Sequence, residues 1–251
     1  MQKKIIRRTQ FYGVISVAVF FFLYLFTAIC VLMILVVASL HLQKLVRILM
    51  RFWARTIFLM LGKRLRITGL ENIEKGKNYI LLANHASLFD IMAILAFYPG
   101  VSWFGRERLL KVPLFGRVLK LTHYVPMKSG DLRNTKEMLS HLLNKSGNQT
   151  IAIFPEGTRT SDGNINRFHK GFVHILKATE MSVLPVTLNG FFLLKPKNRF
   201  TINFESKVEV IINKPIEWED FAEHDDHAIL NKVKVVIESA YTQTENNKLA
   251  F

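Results

Sequence analysis

The first part of the chain is a long apolar run. No charged residue occurs between Phe11 and Leu40, and a helix needs only about 20 apolar residues to cross a membrane. A cleaved signal peptide has a shorter apolar core of roughly 7 to 15 residues, so the run predicts a membrane anchor. As one helix it would be about 45 Å long against a hydrocarbon core of about 30 Å, which leaves a tilted span, a kinked helix and a re-entrant hairpin open.

A second apolar segment, residues 41–61, carries a stripe of positive charge. Its cations are Lys44, Arg47, Arg51 and Arg55, whose spacing puts them within an arc of roughly 80° on a helix. A wide apolar face with one narrow cationic stripe is typical of a helix in the membrane interface, with its charges on lipid phosphates or on the domain that follows. A second spanning helix whose stripe faces a partner is the alternative.

From about residue 65 the pattern changes to short β-like runs that alternate with helical ones, which indicates an α/β domain. The predicted strands cover residues 78–83, 150–154, 183–188 and 201–212. The predicted helices cover residues 88–97, 131–144, 172–178 and 227–240. We therefore divide the chain into a membrane anchor, residues 1–62, and an α/β domain, residues 63–251.

The chain is strongly basic as well as apolar. It has 34 Lys and Arg against 19 Asp and Glu, a formal net charge of +15, and 50% of its residues are hydrophobic. This combination suits an anionic phospholipid membrane. No nucleic acid is expected as a partner, because the sequence lacks zinc-finger spacing, RNP-like aromatic motifs and a basic region followed by heptads. More Lys and Arg follow the apolar run than precede it, which predicts that the α/β domain faces the cytoplasm.

His85 and Asp90 follow the predicted strand 78–83, at the kind of strand end where open α/β sheets bind ligands. A histidine can accept the proton of an attacking hydroxyl group at neutral pH, and an aspartate on its other ring nitrogen stabilises the imidazolium. On a regular helix these side chains would point about 140° apart, so they meet only if His85 precedes the helix and folds back over its first turn. The alternative is structural, because Ser87 and Asp90 also form a helix-capping pattern.

A tight turn follows the predicted strand 150–154. Its sequence, Glu156-Gly157-Thr158-Arg159, puts a carboxylate, a hydroxyl group and exposed amides beside an arginine. The planar fork of arginine suits a phosphate dianion, and neighbouring amides can add hydrogen bonds. A plain surface turn with a solvated arginine is the alternative.

Four segments together resemble the glycerolipid acyltransferase family, which includes the bacterial lysophosphatidate acyltransferases. Residues 85–90 match its motif of His, four residues and Asp, and residues 154–159 match its Phe-Pro-Glu-Gly-Thr-Arg turn. Residues 105–116 look like its basic block, and residues 184–186 look like its final Leu-Pro-Val motif. The resemblance covers residues 78–190 in the expected order, and it implies a mixed sheet flanked by helices.

The resemblance also implies an activity. The chain would transfer an acyl group from acyl-CoA or acyl-carrier protein to lysophosphatidic acid, with His85 and Asp90 as catalytic residues and without a metal or bound cofactor. The product would be phosphatidic acid, made at a bacterial inner membrane.

The turn at residues 156–159 would then bind the glycerol phosphate of the acceptor, through Glu156, Gly157 and Arg159. Further candidates for phosphate contacts, each of which has ordinary solvated surface as its alternative, are Arg106, Lys128 and Lys170. Family members often have arginine where this chain has Lys128, and a lysine there lacks the bidentate geometry of arginine.

Two other functions remain as alternatives. The same chemistry can act on another acceptor, such as a lysophospholipid with a different headgroup or a lyso-aminolipid. A non-catalytic lipid-binding protein of the same fold would keep the apolar, basic surface without needing His85, and the presence of both His85 and Asp90 argues against it. A metal site at residues 224–227 is not predicted, because Asp225 and Asp226 fit helix capping and no partner cluster accompanies them.

Overall fold

The computed structural model of the chain describes residues 2–111, 116, 124–127 and 149–242. The α-helices in this part are α1 (Gln2–Ser39), α2 (Gln43–Met60), α3 (Asp90–Phe97), α4 (Gly171–Thr179), α5 (Phe191–Leu194) and α6 (Asp226–Ser239). The strands are β1 (Arg66–Thr68), β2 (Tyr79–Ala83), β3 (Ser102–Arg106), β4 (Val125–Met127), β5 (Ile151–Ile153), β6 (Ser182–Asn189) and β7 (Glu209–Ile212). The predicted helix 131–144 lies outside the described residues.

The strands form one sheet in the order β1-β7-β6-β2-β5-β3-β4. All neighbours are parallel except β6 and β7, which are antiparallel, so the sheet is mixed as expected. Every residue of β2 and β6 is buried, which explains why both strands are nearly continuous apolar runs in the sequence. One face of the sheet packs against α1, α2 and α3, and the other packs against α4 and α6.

The prediction of a strand over residues 201–212 is wrong for its first eight residues, since β7 covers only Glu209–Ile212. The preceding segment packs against α1 instead of pairing with the sheet. The amide of Ile202 donates to the hydroxyl oxygen of Ser16 at 2.9 Å, and the rings of Phe200 and Phe20 lie 5.1 Å apart. The segment is therefore irregular despite its β-rich composition, and part of its contacts come from the N-terminal helix.

The two N-terminal helices form a helical hairpin, residues 12–60, with a turn at residues 40–42. Within α1, the stretch Tyr12–Ser39 is long and apolar enough to cross a membrane, by length and composition. The helices contact each other along the hairpin, where the indole Nε1 of Trp53 donates to the hydroxyl group of Thr27 at 3.2 Å. The apolar run itself is one continuous helix, α1, without an internal re-entrant turn, and the helical hairpin is formed by α1 and α2 together.

The surface of the helical hairpin is apolar. All but three of the exposed large hydrophobic side chains in the described residues belong to it, and the exceptions are Leu70, Phe200 and Val235. On α2 the side chains of Ile48 and Leu59 are 62% and 71% exposed. Exposed apolar surface of this extent marks a region that contacts another apolar phase.

The cationic stripe of α2 reaches the end of α3. Arg51 donates from Nη2 to the carbonyl oxygen of Phe97 at 3.3 Å, and Arg55 donates from Nε to the carbonyl oxygen of Ala96 at 3.1 Å. The last carbonyls of a helix lack partners within the helix and carry partial negative charge, so arginines stabilise them. The sequence pattern left two partners open for the stripe, lipid phosphates and the α/β domain. Arg51 and Arg55 contact the α/β domain.

Candidate active site

The candidate site lies at the carboxyl edge of the sheet, where the parallel strands β5, β2 and β6 end side by side. Asn84, the first residue after β2, exchanges two hydrogen bonds with Leu188 of β6. Its Nδ2 donates to the Leu188 carbonyl at 3.0 Å, and its Oδ1 accepts from the Leu188 amide at 2.7 Å. The turn that leaves β2 is thereby attached to the neighbouring strand.

The side chains of His85 and Asp90 are in direct contact. Nδ1 of His85 lies 2.8 Å from Oδ2 of Asp90, which is fully buried, whereas the His85 side chain is 17% exposed. α3 begins at Asp90 rather than at residue 88 as predicted. His85 therefore precedes the helix and folds back onto its first residue, which is the geometry that the contact requires.

Asp90 also orders the turn before the helix. Its Oδ2 accepts hydrogen bonds from the amides of Ala86 at 2.7 Å and Ser87 at 2.8 Å. Only the Asp90 half of the capping pattern forms, because its carboxylate accepts from the amide of Ser87. The hydroxyl group of Ser87 donates to the carbonyl of Lys195 at 2.8 Å instead of capping α3. The same carboxylate thus performs the structural role and holds the imidazole.

Aromatic side chains fix the plane of the His85 ring. The ring stacks on Phe154 with centroids 4.0 Å apart and an interplanar angle of 12°. Phe154 in turn stacks on Trp103 at 5.6 Å. Since Nδ1 is held by Asp90, the ring nitrogen left for chemistry is Nε2.

Glu156 lies behind His85 and is 2% exposed. Its Oε1 accepts from the amide of His85 at 2.6 Å, and its Oε2 accepts from the amide of Asn166 at 2.8 Å. Burial raises the pKa of Glu156 to about 7, although these two hydrogen bonds lower it. We call His85, Asp90 and Glu156 the base cluster.

The turn after Glu156 wraps around His85 and reaches the surface. Gly157 has a φ of +65°, which favours glycine, and a Cβ atom there would lie 3.2 Å from the ring of His169. Thr158 is exposed and Arg159 is half-buried. The amide of Thr160 donates to the carbonyl of His85 at 2.9 Å, so the amide and the carbonyl of His85 are both bound by this turn.

The other predicted phosphate contacts are Arg106, Lys128 and Lys170. Arg106 is the last residue of β3, and its side chain is outside the described part of the chain, as is all of Lys128. Nζ of Lys170 lies 3.7 Å from Oδ2 of Asp226, with the lysine side chain 47% exposed. The structure therefore puts Lys170 beside a carboxylate.

Of the two acidic residues at the start of α6, Asp225 caps the helix, whereas Asp226 forms an ion pair instead of capping. Asp225 is the N-cap residue of α6 and accepts from the amide of Ala228 at 2.7 Å, while Asp226 pairs with Lys177 at 2.7 Å. The capping interpretation of Asp225 is confirmed. Among the described residues, no group of three or more His, Cys, Asp or Glu side chains could hold a metal ion.

The sequence interpretation did not single out two lysines that follow β6. Nζ of Lys197 lies 3.4 Å from the hydroxyl oxygen of Thr158, and the carbonyl of Lys195 accepts the hydroxyl hydrogen bond of Ser87. Their sequence carries no spacing motif. The usable signal was their position after the carboxyl end of a buried strand parallel to β2.

Comparison with known proteins gives a consistent picture. The sequence profile of a family described as Acyltransferase matches residues 64–189. The chloroplastic 1-acyl-sn-glycerol-3-phosphate acyltransferase of Arabidopsis thaliana is 31% identical over 157 residues, which cover 61% of this chain and 44% of the relative. The 1-acyl-sn-glycerol-3-phosphate acyltransferase of Borreliella burgdorferi is 31% identical over 172 residues, which cover 66% of each chain.

A solved structure is similar over nearly its whole length. The crystal structure of the 1-acyl-sn-glycerophosphate acyltransferase of Thermotoga maritima matches with a TM-score of 0.80 and 26% identity, covering 91% of this chain and 95% of that one. The two plant relatives are longer, and the chain spans 44% of the Arabidopsis protein and 55% of a similar coconut protein. The likeness to these relatives thus concerns one part of each.

Proposed function

Because this chain belongs to the Acyltransferase family, we propose that it is a 1-acyl-sn-glycerol-3-phosphate acyltransferase. It transfers an acyl group from a thioester, acyl-CoA or acyl-carrier protein, to the free hydroxyl group of lysophosphatidic acid and so makes phosphatidic acid. Relatives and a solved structure named for this activity support the proposal. The observation that carries it is the contact of His85 with Asp90, beside a turn that presents Arg159 at the surface.

In the proposed reaction His85 is the general base. Its Nδ1–H donates to Asp90, so Nε2 has the free electron pair that accepts the hydroxyl proton of the acceptor. The hydroxyl oxygen bonds to the carbonyl carbon of the thioester, the carbon–sulfur bond breaks, and the proton passes from His85 to the departing thiolate. Thiolates leave readily because thiols have a pKa of about 8.5. The step therefore balances without a serine or cysteine nucleophile.

The remaining residues of the turn have separate roles in the proposal. Arg159 binds the phosphate of the acceptor, with Gly157 and Thr158 shaping the turn beside it. Glu156, which the resemblance assigned to the acceptor, is proposed as a positioning residue, because both of its oxygens bind backbone amides and its side chain is buried. It holds the backbone of His85 in place.

The test is an assay of the purified protein in detergent with a panel of lysolipids and both thioester donors. We expect lysophosphatidic acid to be used with at least tenfold higher kcat/KM than lysophosphatidylcholine or lysophosphatidylglycerol, and the donor comparison to identify the thioester. Equal efficiency on all three lipids would instead indicate a general lysophospholipid acyltransferase. Absence of turnover on every lipid, with lipid binding intact, would support the non-catalytic alternative.

We also propose that the helical hairpin lies in the cytoplasmic membrane, with both of its ends on the cytoplasmic side. Two contacts support this arrangement, because α1 begins against the α/β domain, where the hydroxyl group of Tyr12 donates to Glu205 at 2.9 Å, and α2 ends against α3. The exposed apolar side chains of the hairpin then contact lipid rather than water.

Cysteine labelling can test this topology in a Cys30→Ser background. Single cysteines replace Ser39 at the hairpin turn and Lys214 on the α/β domain. A membrane-impermeant maleimide should label Lys214→Cys in inverted vesicles only, and it should not reach Ser39→Cys from outside intact spheroplasts. Labelling of Ser39→Cys from the outside would show that α1 spans the membrane.

A further inference from the structure

A short segment after α5 lies against the turn that carries Arg159. Lys195, the first residue after α5, is 7% exposed, and its carbonyl accepts the hydroxyl hydrogen bond of Ser87 at 2.8 Å. The backbone of this segment is therefore attached to the turn between His85 and Asp90. Two residues further along, Nζ of Lys197 lies 3.4 Å from the hydroxyl oxygen of Thr158, the neighbour of Arg159.

The cations in this region repel one another. The pKa of Lys195 is lowered, first by burial and then by the positive charges of Arg159 and Arg199. Its ammonium group donates to the carbonyl of Pro196 at 3.1 Å, which satisfies one of its three hydrogens without neutralising its charge. Burying a lysine next to an arginine costs free energy unless a bound anion balances their charges.

Other lysines of the protein form ion pairs with carboxylates. Lys77 pairs with Glu217 at 2.8 Å, and Lys177 pairs with Asp226 at 2.7 Å. By contrast, no carboxylate within the described residues forms an ion pair with Arg159, Lys195 or Lys197. We call these three residues the cationic cluster.

We propose that Lys195 and Lys197 complete, with Arg159, a subsite for the terminal phosphate dianion of the acceptor, and that they select phosphomonoesters over phosphodiesters. The inference rests on the proposed function for the identity of the acceptor. The planar fork of Arg159 binds two phosphate oxygens, while the lysines add charge around the third oxygen. A phosphodiester such as lysophosphatidylcholine has one negative charge and a substituent at the place where that third oxygen would lie.

Substitution of the lysines tests the subsite in the kinetics of the full-length protein. Lys197→Gln removes an exposed cation, Lys195→Met keeps the length of a buried side chain, and Lys214→Gln removes an exposed cation after β7 as the matched control. We expect each of the first two variants to raise the KM for lysophosphatidic acid on the order of tenfold, with little change in kcat. The control should keep both constants of the wild type.

A second measurement does not depend on turnover. In the His85→Ala protein, calorimetric titration with glycerol 3-phosphate should show binding that is weakened by Lys197→Gln and by Lys195→Met. Glycerophosphocholine, a phosphodiester, should bind more weakly than glycerol 3-phosphate in the absence of these substitutions. This binding experiment remains informative if lysophosphatidic acid proves not to be the acceptor, so the two proposals can fail separately.

Two results would overturn the subsite. One is an unchanged KM for lysophosphatidic acid in Lys197→Gln, together with unchanged glycerol 3-phosphate binding. The other is a fall in kcat at constant KM in both lysine variants, because that outcome would mean that the segment only positions the turn of His85. If Lys195→Met fails to fold, Lys197→Gln alone decides, since its side chain is exposed.

Discussion

The base cluster and the cationic cluster are joined by the same turn, yet their side chains are held in opposite ways. In the base cluster a carboxylate holds the imidazole, and backbone amides hold both carboxylates. In the cationic cluster like charges lie side by side, and no ion pair with a described carboxylate balances them. The base cluster is held in place by groups of the protein itself, whereas the cationic cluster is proposed to receive its partner from the ligand.

The difference follows from what each cluster is proposed to do. A general base must present one nitrogen in the correct tautomer before the substrate arrives, so its partners belong to the protein. A phosphate site gains affinity when charges that repel one another are neutralised by the ligand. Substitutions in the base cluster should therefore lower kcat, and substitutions in the cationic cluster should raise KM.

The largest expected effect is that of His85→Ala. Loss of a general base lowers kcat by roughly 10² to 10⁴, and the fold should persist because the backbone of His85 keeps its bonds to Glu156 and Thr160. The comparison is initial rate and thermal midpoint against His174→Ala, which removes an exposed histidine on α4. Retention of most activity in His85→Ala would show that His85 is not the general base.

Arg159→Ala should act mainly on KM. Removal of the fork leaves a phosphate dianion with fewer partners in a half-buried site, so the KM for lysophosphatidic acid should rise by about one to two orders of magnitude. Arg159→Lys should recover only part of this loss, because lysine cannot bind two oxygens in a plane. Initial rates against acceptor concentration give both constants, and an unchanged KM would argue against a phosphate contact.

Glu156→Gln should lower kcat by about tenfold. The carboxylate accepts hydrogen bonds from two backbone amides, and the NH2 group of glutamine, itself a donor, would face one of them. The matched change is Glu180→Gln, an exposed position at the end of α4. A rise in KM at constant kcat would place Glu156 at the acceptor, as the resemblance implied, rather than behind His85.

The pH dependence of stability offers a separate readout for Glu156. Its folded-state pKa of about 7 lies above the ordinary value of 4.5, so protonation stabilises the fold. This contribution is fully present below about pH 4.5 and is lost as the pH rises through about 7, by up to about 3 kcal/mol. Thermal midpoints of the wild type should therefore fall relative to Glu156→Gln between these pH values, and parallel curves would contradict the raised pKa.

The smallest effect is expected from Arg55→Gln, which removes one hydrogen bond to the end of α3. The free energy of unfolding should fall by about 1 kcal/mol, with kcat and KM nearly unchanged, and Lys44→Gln on the same stripe is the control. Denaturant titration in detergent measures the difference. A large loss of kcat would mean that the base cluster depends on α2 as much as on its own hydrogen bonds.

Local features of the site could be predicted from the sequence. The contact of His85 with Asp90 depends on the six successive residues 85–90 after a strand and at the start of a helix. Both the strand and the helix were recognisable from their apolar patterns. The α/β class and the strands β2, β5 and β6 were predicted from the pattern, because buried parallel strands are largely apolar runs. That the sheet is mixed was implied by the family resemblance.

Features that depend on distant contacts could not be predicted. Glu156 is buried and accepts hydrogen bonds from the amides of residues 85 and 166, and no local pattern in its motif distinguishes a buried carboxylate from an exposed one. Lys195 and Lys197 lie far from Arg159 in the sequence, and only the fold of the sheet brings them near it. The segment 201–208 has a strand-like composition, but its hydrogen-bonding partners come from several distant parts of the chain, among them Ser16 of α1, Lys63 and Leu194.

The attachment of α2 to the far end of α3 has an energetic consequence for the lipid. The arginines contact the carbonyls of Ala96 and Phe97, so only about 10 Å of helix separate these contacts from Asp90. If the helical hairpin lies in the membrane, as proposed, a lysolipid acceptor could reach His85 while much of its acyl chain stays among other chains. Extracting a whole chain of about 16 carbons would cost on the order of 10 kcal/mol. Turnover should then follow the mole fraction of acceptor in the surface, so inert lipid added at constant total acceptor should slow the reaction.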